Sequence, residues 1–440
     1  MKAKKNYMIL LLAAALFLTG CSIQTVDKMY LLPKRTEQYN NLQSAIDEAM
    51  DGLEYSAPRA GENQQTVQMV DLDGDGLQEH LVYAKGASER PLRILIFRGQ
   101  GEEYVLSDII ESNGTAYDQV EYVQMDGVGG AEIVVGRQLD GQTLGAVSVY
   151  TFSNGAAEQL VSSSYRKFLT IDIDANGLTE LFVLRPGQTE TDRGIAEFYA
   201  MENDTVQRSN EVSMSEPADK LKRVLVGTLH GGQPAVYIAS TVGDTAIITD
   251  VYVFVDGLLT NVTFSSESGT SVQTMRNYYV YADDIDNDGV VELPMLMNMK
   301  SLDELQSTER QDLIRWYAME ADGSEVDKMY TYHNFVSGWY FQLDSQWAPR
   351  LSVRNVANAY EFYLWDEDFT SARRLLTIYA LTGQNREEQA MADNRFVVYK
   401  TEQFLYAASL EPVALENQIN QESIIRRFHL IHQDWKTGET

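Results

Sequence analysis

The pattern of apolar and polar positions changes character four times along the 440 residues. Met8 to Leu18 is an unbroken apolar run behind Lys2, Lys4 and Lys5. Between Thr36 and Asp51 the apolar residues recur at spacings of three and four, with Tyr39, Leu42, Ile46, Ala49 and Leu53 on one stripe; this predicts a helix that packs on the body following it. From about residue 65 the period shortens to near two, in short segments bounded by Gly, Asn and Asp, which predicts strands. Beyond about residue 335 the pattern is mixed. Trp339 to Leu343, Tyr360 to Trp365, Leu375 to Leu381 and Arg395 to Tyr399 read as strands, and Asn385 to Ala392 and Leu415 to Trp435 as helices.

The strand region repeats itself. Val70 to Val82, Ile171 to Val183 and Asp284 to Leu293 share Asp-x-Asp-x-Asp/Asn-Gly-x-x-Glu. Two degenerate copies lie between them. Met125 to Val134 keeps one Asp, the Gly and the Glu, and Gly227 to Tyr237 keeps the turn glycine and the strand. Aligned on Glu79, Glu132, Glu180, Ala235 and Glu292, the spacings are 53, 48, 55 and 57. The first unit has room for four strands, at Thr66 to Val70, His80 to Lys85, Leu92 to Arg98 and Tyr104 to Ile110. A period near fifty with four antiparallel strands fits a propeller blade. The expected fold is therefore mainly β: a β-propeller of about five four-stranded blades over residues 65–335, followed by an α+β unit over 336–440. Residues 36–64 form the N-terminal helix and linker.

Composition fixes the setting. Hydrophobic residues make up 44% of the chain, enough for a sizeable core, and 64 Asp+Glu against 35 Lys+Arg give a formal charge of −29. Without a basic cluster, a chain this acidic repels polyanions, so nucleic acid is excluded as an expected partner. The apolar run at Met8 is too short to span a bilayer as a mature helix but matches the core of an export signal. It ends in Leu18-Thr19-Gly20-Cys21, which resembles the lipobox of bacterial lipoproteins, and Cys21 is the single cysteine of the chain. The resemblance implies a signal peptide over 1–20, acylation of Cys21 by palmitate-type chains, a tether over 21–35, and an extracytoplasmic location on the bacterial cell membrane. Two or more acyl chains suffice for stable anchoring.

The three full repeats carry the chemistry. Oxygen-bearing side chains at loop positions 1, 3 and 5, a glycine at 6 and a Glu at 9 can converge on one hard cation, with a backbone carbonyl from position 7. The candidate ligands are Asp71, Asp73, Asp75, Leu77 and Glu79; Asp172, Asp174, Asn176, Leu178 and Glu180; and Asp284, Asp286, Asp288, Val290 and Glu292. Ca²⁺ suits this set better than Mg²⁺, which holds its waters in a stricter octahedron. An EF-hand needs a Glu at position 12, where this chain has Val82, Val183 and Met295. Asp and Gly also favour plain hairpin turns, so the recurrence in register is what separates a metal loop from a turn.

These loops resemble the calcium loops of FG-GAP and VCBS-type repeats, as in the integrin alpha-subunit propeller and bacterial surface proteins. The resemblance implies up to three structural calcium ions that tie strand to strand within a blade. It departs in the second unit, with Gln124 and Val128 at positions 1 and 5, and in the fourth, which has no carboxylate.

Catalytic constellations are poorly represented. His80, His230 and His333 are isolated, and His429 and His432, three apart on the last expected helix, lack a third zinc ligand. No nucleophile elbow, phosphate loop or His-Glu-x-x-His occurs. Trp339, Tyr340, Phe341, Trp347, Tyr360, Phe362, Tyr363 and Trp365 could stack on sugars, but strand alternation favours burial, with Tyr360, Phe362 and Leu364 on one face and Tyr363 and Trp365 on the other. The sequence thus favours a membrane-anchored binding or scaffolding module for a protein or glycan. A surface polysaccharide hydrolase or lyase is the alternative, and a structural spacer without a ligand the blandest one. In a bacterium supplied with labelled palmitate, the full chain is expected to take up label and partition into detergent, and Cys21→Ser to lose both.

Overall fold

The computed structural model describes residues 37–139, 144–189, 191–202, 205–277, 280–300, 302, 313–366 and 369–431. The expected signal peptide, tether and Cys21, together with His432, lie outside the described residues.

Runs such as Glu-Ile-Val-Val-Gly-Arg-Gln at 132–138 are apolar on both faces and bounded by turns, so they suit strands covered on both sides. Six antiparallel sheets result, each mostly a meander of neighbouring strands. The first comprises Glu54–Tyr55, Val67–Val70, Glu79–Lys85, Leu92–Gln100 and Glu103–Ser112. The second comprises Ala116–Val123, Glu132–Gln138, Gly145–Ser153 and Ala156–Tyr165. The third is built on Lys167–Ile171, Glu180–Arg185, Ile195–Glu202 and Thr205–Arg208, with Val212–Ser213 beside the third strand. The fourth is Leu221–Thr228, Pro234–Val242, Ala246–Val255 and Leu258–Asn261. The fifth runs Glu292–Met297, Leu313–Met319, Glu325–Asn334, Trp339–Leu343 and Phe428–Leu430, and the sixth is ordered Leu351–Val356, Ala359–Leu364, Arg373–Leu381, Leu405–Leu410, Phe396–Lys400.

Strand alternation distributes side chains between the two faces of each sheet. Ile133 and Val135 of the second sheet pack with Leu81, Tyr83, Ile94 and Ile96 of the first. Val134, between them, packs with Phe168, Leu181 and Val183 of the third. Phe182 and Leu184 then meet Val236, Ile238 and Tyr252 of the fourth, and Tyr237 and Val251 meet Leu293 and Tyr317 of the fifth. The series ends with Tyr332, Trp339 and Phe341 against Phe362, Ile378 and Tyr406 of the sixth. This is face-to-face packing of propeller-type blades.

Among the described residues no hydrophobic cluster joins the sixth sheet to the first. Helices cover their outward faces instead. Helix α1, Glu37–Ala49, sets Ile46 against Val82, Ala84, Leu95 and Phe97, with Leu42, Ala49 and Leu53 alongside, as its stripe predicts. Tyr39 stays exposed. At the other end α2, Arg386–Met391, sets Ala390 against Leu381, Leu405 and Ala407. The stack therefore has two covered ends, the capping that a one-dimensional array of repeats requires.

The C-terminal region combines its sheet with α2, α3 (Pro412–Glu416) and α4 (Gln421–Arg427), an α+β composition. Two expectations there are corrected. Trp339–Leu343 belongs to the fifth sheet, because it continues the hairpin from Glu325–Asn334. The helix expected over Leu415 to Trp435 is interrupted: Gln418 takes φ +59, Asn420 caps α4 in a box with Ser423, and Phe428–Leu430 leaves the helix to pair with Trp339–Leu343. Burial of Phe428 among Trp339 and Tyr406 outweighs helix continuation. The aromatic segment is core, with Tyr360, Phe362 and Leu364 buried as the alternation predicts. Among the described residues no helix is long and apolar enough to cross a membrane.

Ile46→Ala should destabilise the chain by about 2–4 kcal/mol, since it uncovers the first sheet, while Tyr39→Ala should stay within about 0.5 kcal/mol. Chemical denaturation of the full chain at fixed calcium concentration checks both.

Candidate metal centres

The three loops with the full motif adopt one conformation. Each is curled by its own hydrogen bonds around the Asp in position 1. Gly74 N–H and Gly76 N–H donate to Asp71 Oδ1 and Oδ2 at 2.7 and 3.0 Å. In the other two loops the first donor is position 5 instead of position 4: Asn176 and Gly177 donate to Asp172 at 3.0 and 2.9 Å, and Asp288 and Gly289 to Asp284 at 3.0 and 2.9 Å. The curl requires a left-handed residue at position 6, supplied by Gly76, Gly177 and Gly289 with φ of +84 to +88. Position 4 is left-handed too, at Gly74, Ala175 and Asn287, a requirement the sequence motif hides because three different residues meet it.

The Glu in position 9 has two roles. It opens the second strand, fully buried, and one of its oxygens accepts the N–H of position 2: Leu72 to Glu79 at 2.8 Å, Ile173 to Glu180 at 3.0 Å, Ile285 to Glu292 at 3.1 Å. The same bond joins Met125 to Glu132 at 2.9 Å in the degenerate second loop. There Gln124 imitates the Asp, accepting from Gly127 N–H at 3.0 Å, and its amide donates to Gly130 O at 3.0 Å. The second loop, whose carboxylates are Asp126 and Glu132, thus keeps its shape with Gln124 in place of the position-1 Asp.

Three carboxylates converge in each full loop. Oxygens of Asp71, Asp73 and Glu79, of Asp172, Asp174 and Glu180, and of Asp284, Asp286 and Glu292 all lie within 4.8 Å of one another in their set. Two oxygens bound to one Ca²⁺ at ~2.3–2.6 Å stand at most ~5 Å apart, so the spread fits a shared cation of that size. Glu292 Oε1 is buried with no hydrogen-bond partner, an acceptor that a cation would satisfy. Position 5 is turned differently from the expected ligand set. Asp75, Asn176 and Asp288 each accept the N–H of position 7, at Leu77, Leu178 and Val290, at 2.8, 2.6 and 2.9 Å. They lie outside the three-oxygen groups.

Two basic residues escaped the sequence reading. Arg98 Nη2 contacts Asp73 and lies 3.4 Å from Asp75, with Nε 3.5 Å from Glu79. Lys328 Nζ contacts Asp288 and lies 3.9 Å from Glu292. Both come from later strands of their sheets, where a cation in a largely apolar strand was the available signal. Among the described residues no Lys or Arg pairs with Asp172, Asp174 or Glu180.

Burial raises the pKa of these glutamic acids. It pushes Glu132 and Glu180 up to about 7 and Glu292 to about 8, and raises Glu79, against the lowering effect of the position-2 N–H. The neighbouring aspartates, Asp174 for Glu180 and Asp286 for Glu292, push the same way. Lys328 holds Asp288 below the usual carboxylate range.

The loops also touch one another along one edge of the stack. Ala131 N–H donates to Asp71 O at 3.1 Å and Thr179 N–H to Gln124 O at 2.8 Å, each bond linking position 8 of one unit to position 1 of the preceding unit. Val291 N–H likewise donates to Thr228 O at 3.1 Å. Between the third and fourth units, position 8 is Pro234, which has no N–H to give. Gly130 is obligatory at the first junction, where a Cβ would stand 2.2 Å from the Leu72 carbonyl carbon.

Among the described residues the histidines form no centre. His80 is packed edge-on to Tyr104, His333 is buried beside Thr331 Oγ1 at 2.8 Å and pushed down to about 3 by burial, and His429 stacks on Tyr340 from a strand rather than the expected helix. His230 stands 4.0 Å from Glu320.

No protein-family model matches the chain, and no curated protein does. Among solved structures it is similar to the β-propeller domain of the Trilobed protease from Pyrococcus furiosus, at 10% identity over 72% of this chain and 89% of that one, with a TM-score of 0.27. It is similar to the Dos1 propeller at 10% identity, 80% and 81% coverage and a TM-score of 0.29. A rhamnogalacturonan lyase from Bacillus licheniformis aligns at 12% identity, 73% and 72% coverage and a TM-score of 0.29.

The raised glutamic acids set a pH dependence. In the unfolded chain they titrate near ~4.3, so the folded chain binds more protons above that pH; their contribution is fully present below ~4.3 and is lost as pH rises through about 7 to 8. With a chelator present, the melting temperature should fall between about pH 5 and pH 8.5. Glu132→Gln, which accepts the Met125 N–H without ionising, should melt above the parent at about pH 8 and with it at about pH 5.

Proposed function

We propose that the chain is a lipid-anchored extracytoplasmic protein of a bacterial surface, whose sheets are clamped by Ca²⁺ and serve as a binding or scaffolding module for a protein or glycan. One observation carries the calcium reading: the same three-carboxylate group recurs at the same positions of three repeats. Carboxylate and carbonyl oxygens select a hard cation. An ion held there joins the loop to the head of the second strand, so its effect is on stability. The extracytoplasmic side, with calcium near the ~0.1–1 mM affinities of extracellular modules, would keep such loops filled. The anchor at Cys21 rests on the lipobox-like segment.

The three loops should differ. Arg98 and Lys328 already neutralise part of the first and fifth loops, whereas the third has no such partner among the described residues. The third loop should therefore depend most on the ion. Thermal unfolding of the full chain is expected to show a melting temperature that rises with Ca²⁺ over the ~0.1–10 mM range and falls on chelation. Asp172→Ala should lose the largest share of that rise, and Asp71→Ala with Asp172→Ala and Asp284→Ala should abolish it. Identical melting of parent and triple variant at every calcium concentration would sink the reading.

A further inference from the structure

At the end of the second sheet away from its metal-type loop, a cavity of about 390 Å³ opens between the first and second sheets. Its wall contains a buried guanidinium. Arg137, on Glu132–Gln138, is 5% exposed and has no carboxylate partner among the ion pairs of the described residues. A guanidinium so buried is ordinarily paired. Arg137 Nη1 donates to Asn113 O and Oδ1 at 3.2 and 2.9 Å, and Nη2 to Ser148 Oγ at 2.9 Å. Nε–H has no acceptor, and Nη2 has spent one of its two hydrogens. The Nε and Nη2 edge is the one that grips a carboxylate side-on.

The surroundings are rich in neutral polar groups. Ser148 Oγ bonds to Ser162 Oγ at 3.0 Å, and Tyr150 and Gln159 line the same cavity. Tyr117, the cross-strand partner of Arg137, buries a hydroxyl without any hydrogen-bond partner. Two orphaned buried polar atoms thus lie on cross-strand neighbours, of which Arg137 lines the cavity. Charge around it is locally reversed: Arg90, Arg93 and Arg137 face Glu89 and Glu111, and Glu111 is neutralised by Arg93 at 3.2 Å.

We propose that this cavity binds a small hydroxylated carboxylate, such as one uronic acid residue of an acidic glycan, with its carboxylate on Arg137 and its hydroxyls among Ser162, Gln159 and Tyr150. The size suits one sugar ring, at the lower end of ligand pockets. The assignment deepens the binding-module reading and rests on it, but it does not depend on calcium.

Calorimetric titration of the full chain with sodium D-glucuronate, and with D-glucose as the neutral match, tests it. Saturable glucuronate binding is expected, with glucose weaker by at least about tenfold, because only the acid meets the guanidinium. Arg137→Lys keeps the charge but loses the side-on edge and should weaken glucuronate by about tenfold or more. Ser162→Ala should weaken it several-fold with an unchanged melting temperature, and decides the matter if the Arg137 variant does not fold. Equal affinity for acid and neutral sugar, no saturation by about 10 mM, or parent-like binding by Ser162→Ala overturns the proposal. If glucuronate fails while a neutral polysaccharide or a protein ligand is retained, the cavity assignment falls and the module reading stands. If nothing at all is retained, both fall.

Discussion

A buried glutamate at the head of the second strand, in the first, second, third and fifth repeats, is the constraint on which the loop edge of this molecule depends. In four of the repeats it accepts the N–H of position 2 and so fixes where the strand begins and how the loop returns to it. Placing a carboxyl there costs desolvation, visible in the raised pKa values, and the chain meets that cost in different ways. The first and fifth loops bring in Arg98 and Lys328, the second substitutes an amide, and the third leaves its carboxylates without a basic partner among the described residues. What differs between repeats is the counter-charge. The backbone curl is the same.

The second constraint is topological. Every internal sheet is apolar on both faces and needs a neighbour on each side, so the array has to end on something other than another sheet. Helices α1 and α2 supply those ends by different means. Helix α1 uses one stripe of an amphipathic helix; α2, only six residues long, is pinned through Ala390 against small and branched side chains of the sixth sheet. The chain's last described strand turns back to lengthen the fifth sheet, tying the C-terminal region to the preceding unit through Phe428.

Much of this was legible in the sequence because it is local. The Asp/Gly loops, the four strands of the first unit and the α1 stripe follow from spacing, and the structure has them within a residue or two. The rest depends on partners far along the chain. Arg98 and Lys328 reach the loops from 19 and 36 residues beyond Glu79 and Glu292, a distance at which nothing in the motif points to them. The break of the last expected helix is decided by Trp339 and Tyr406, which take Phe428 into the core. Nor does the motif show that the position-5 side chain, besides its expected place in the ligand set, accepts the N–H two residues on through one oxygen.

Pro234 gives the loop edge a grain. On one side of it, two successive backbone rungs join the first three units; on the other, one rung joins the fourth to the fifth. At Pro234 itself that rung is missing, and the third and fourth sheets are joined elsewhere, by packing and by the bonds of Asn210 with Leu259 and of Ser215 with Asp250. Opening motions that travel along the edge therefore meet a natural stopping point there.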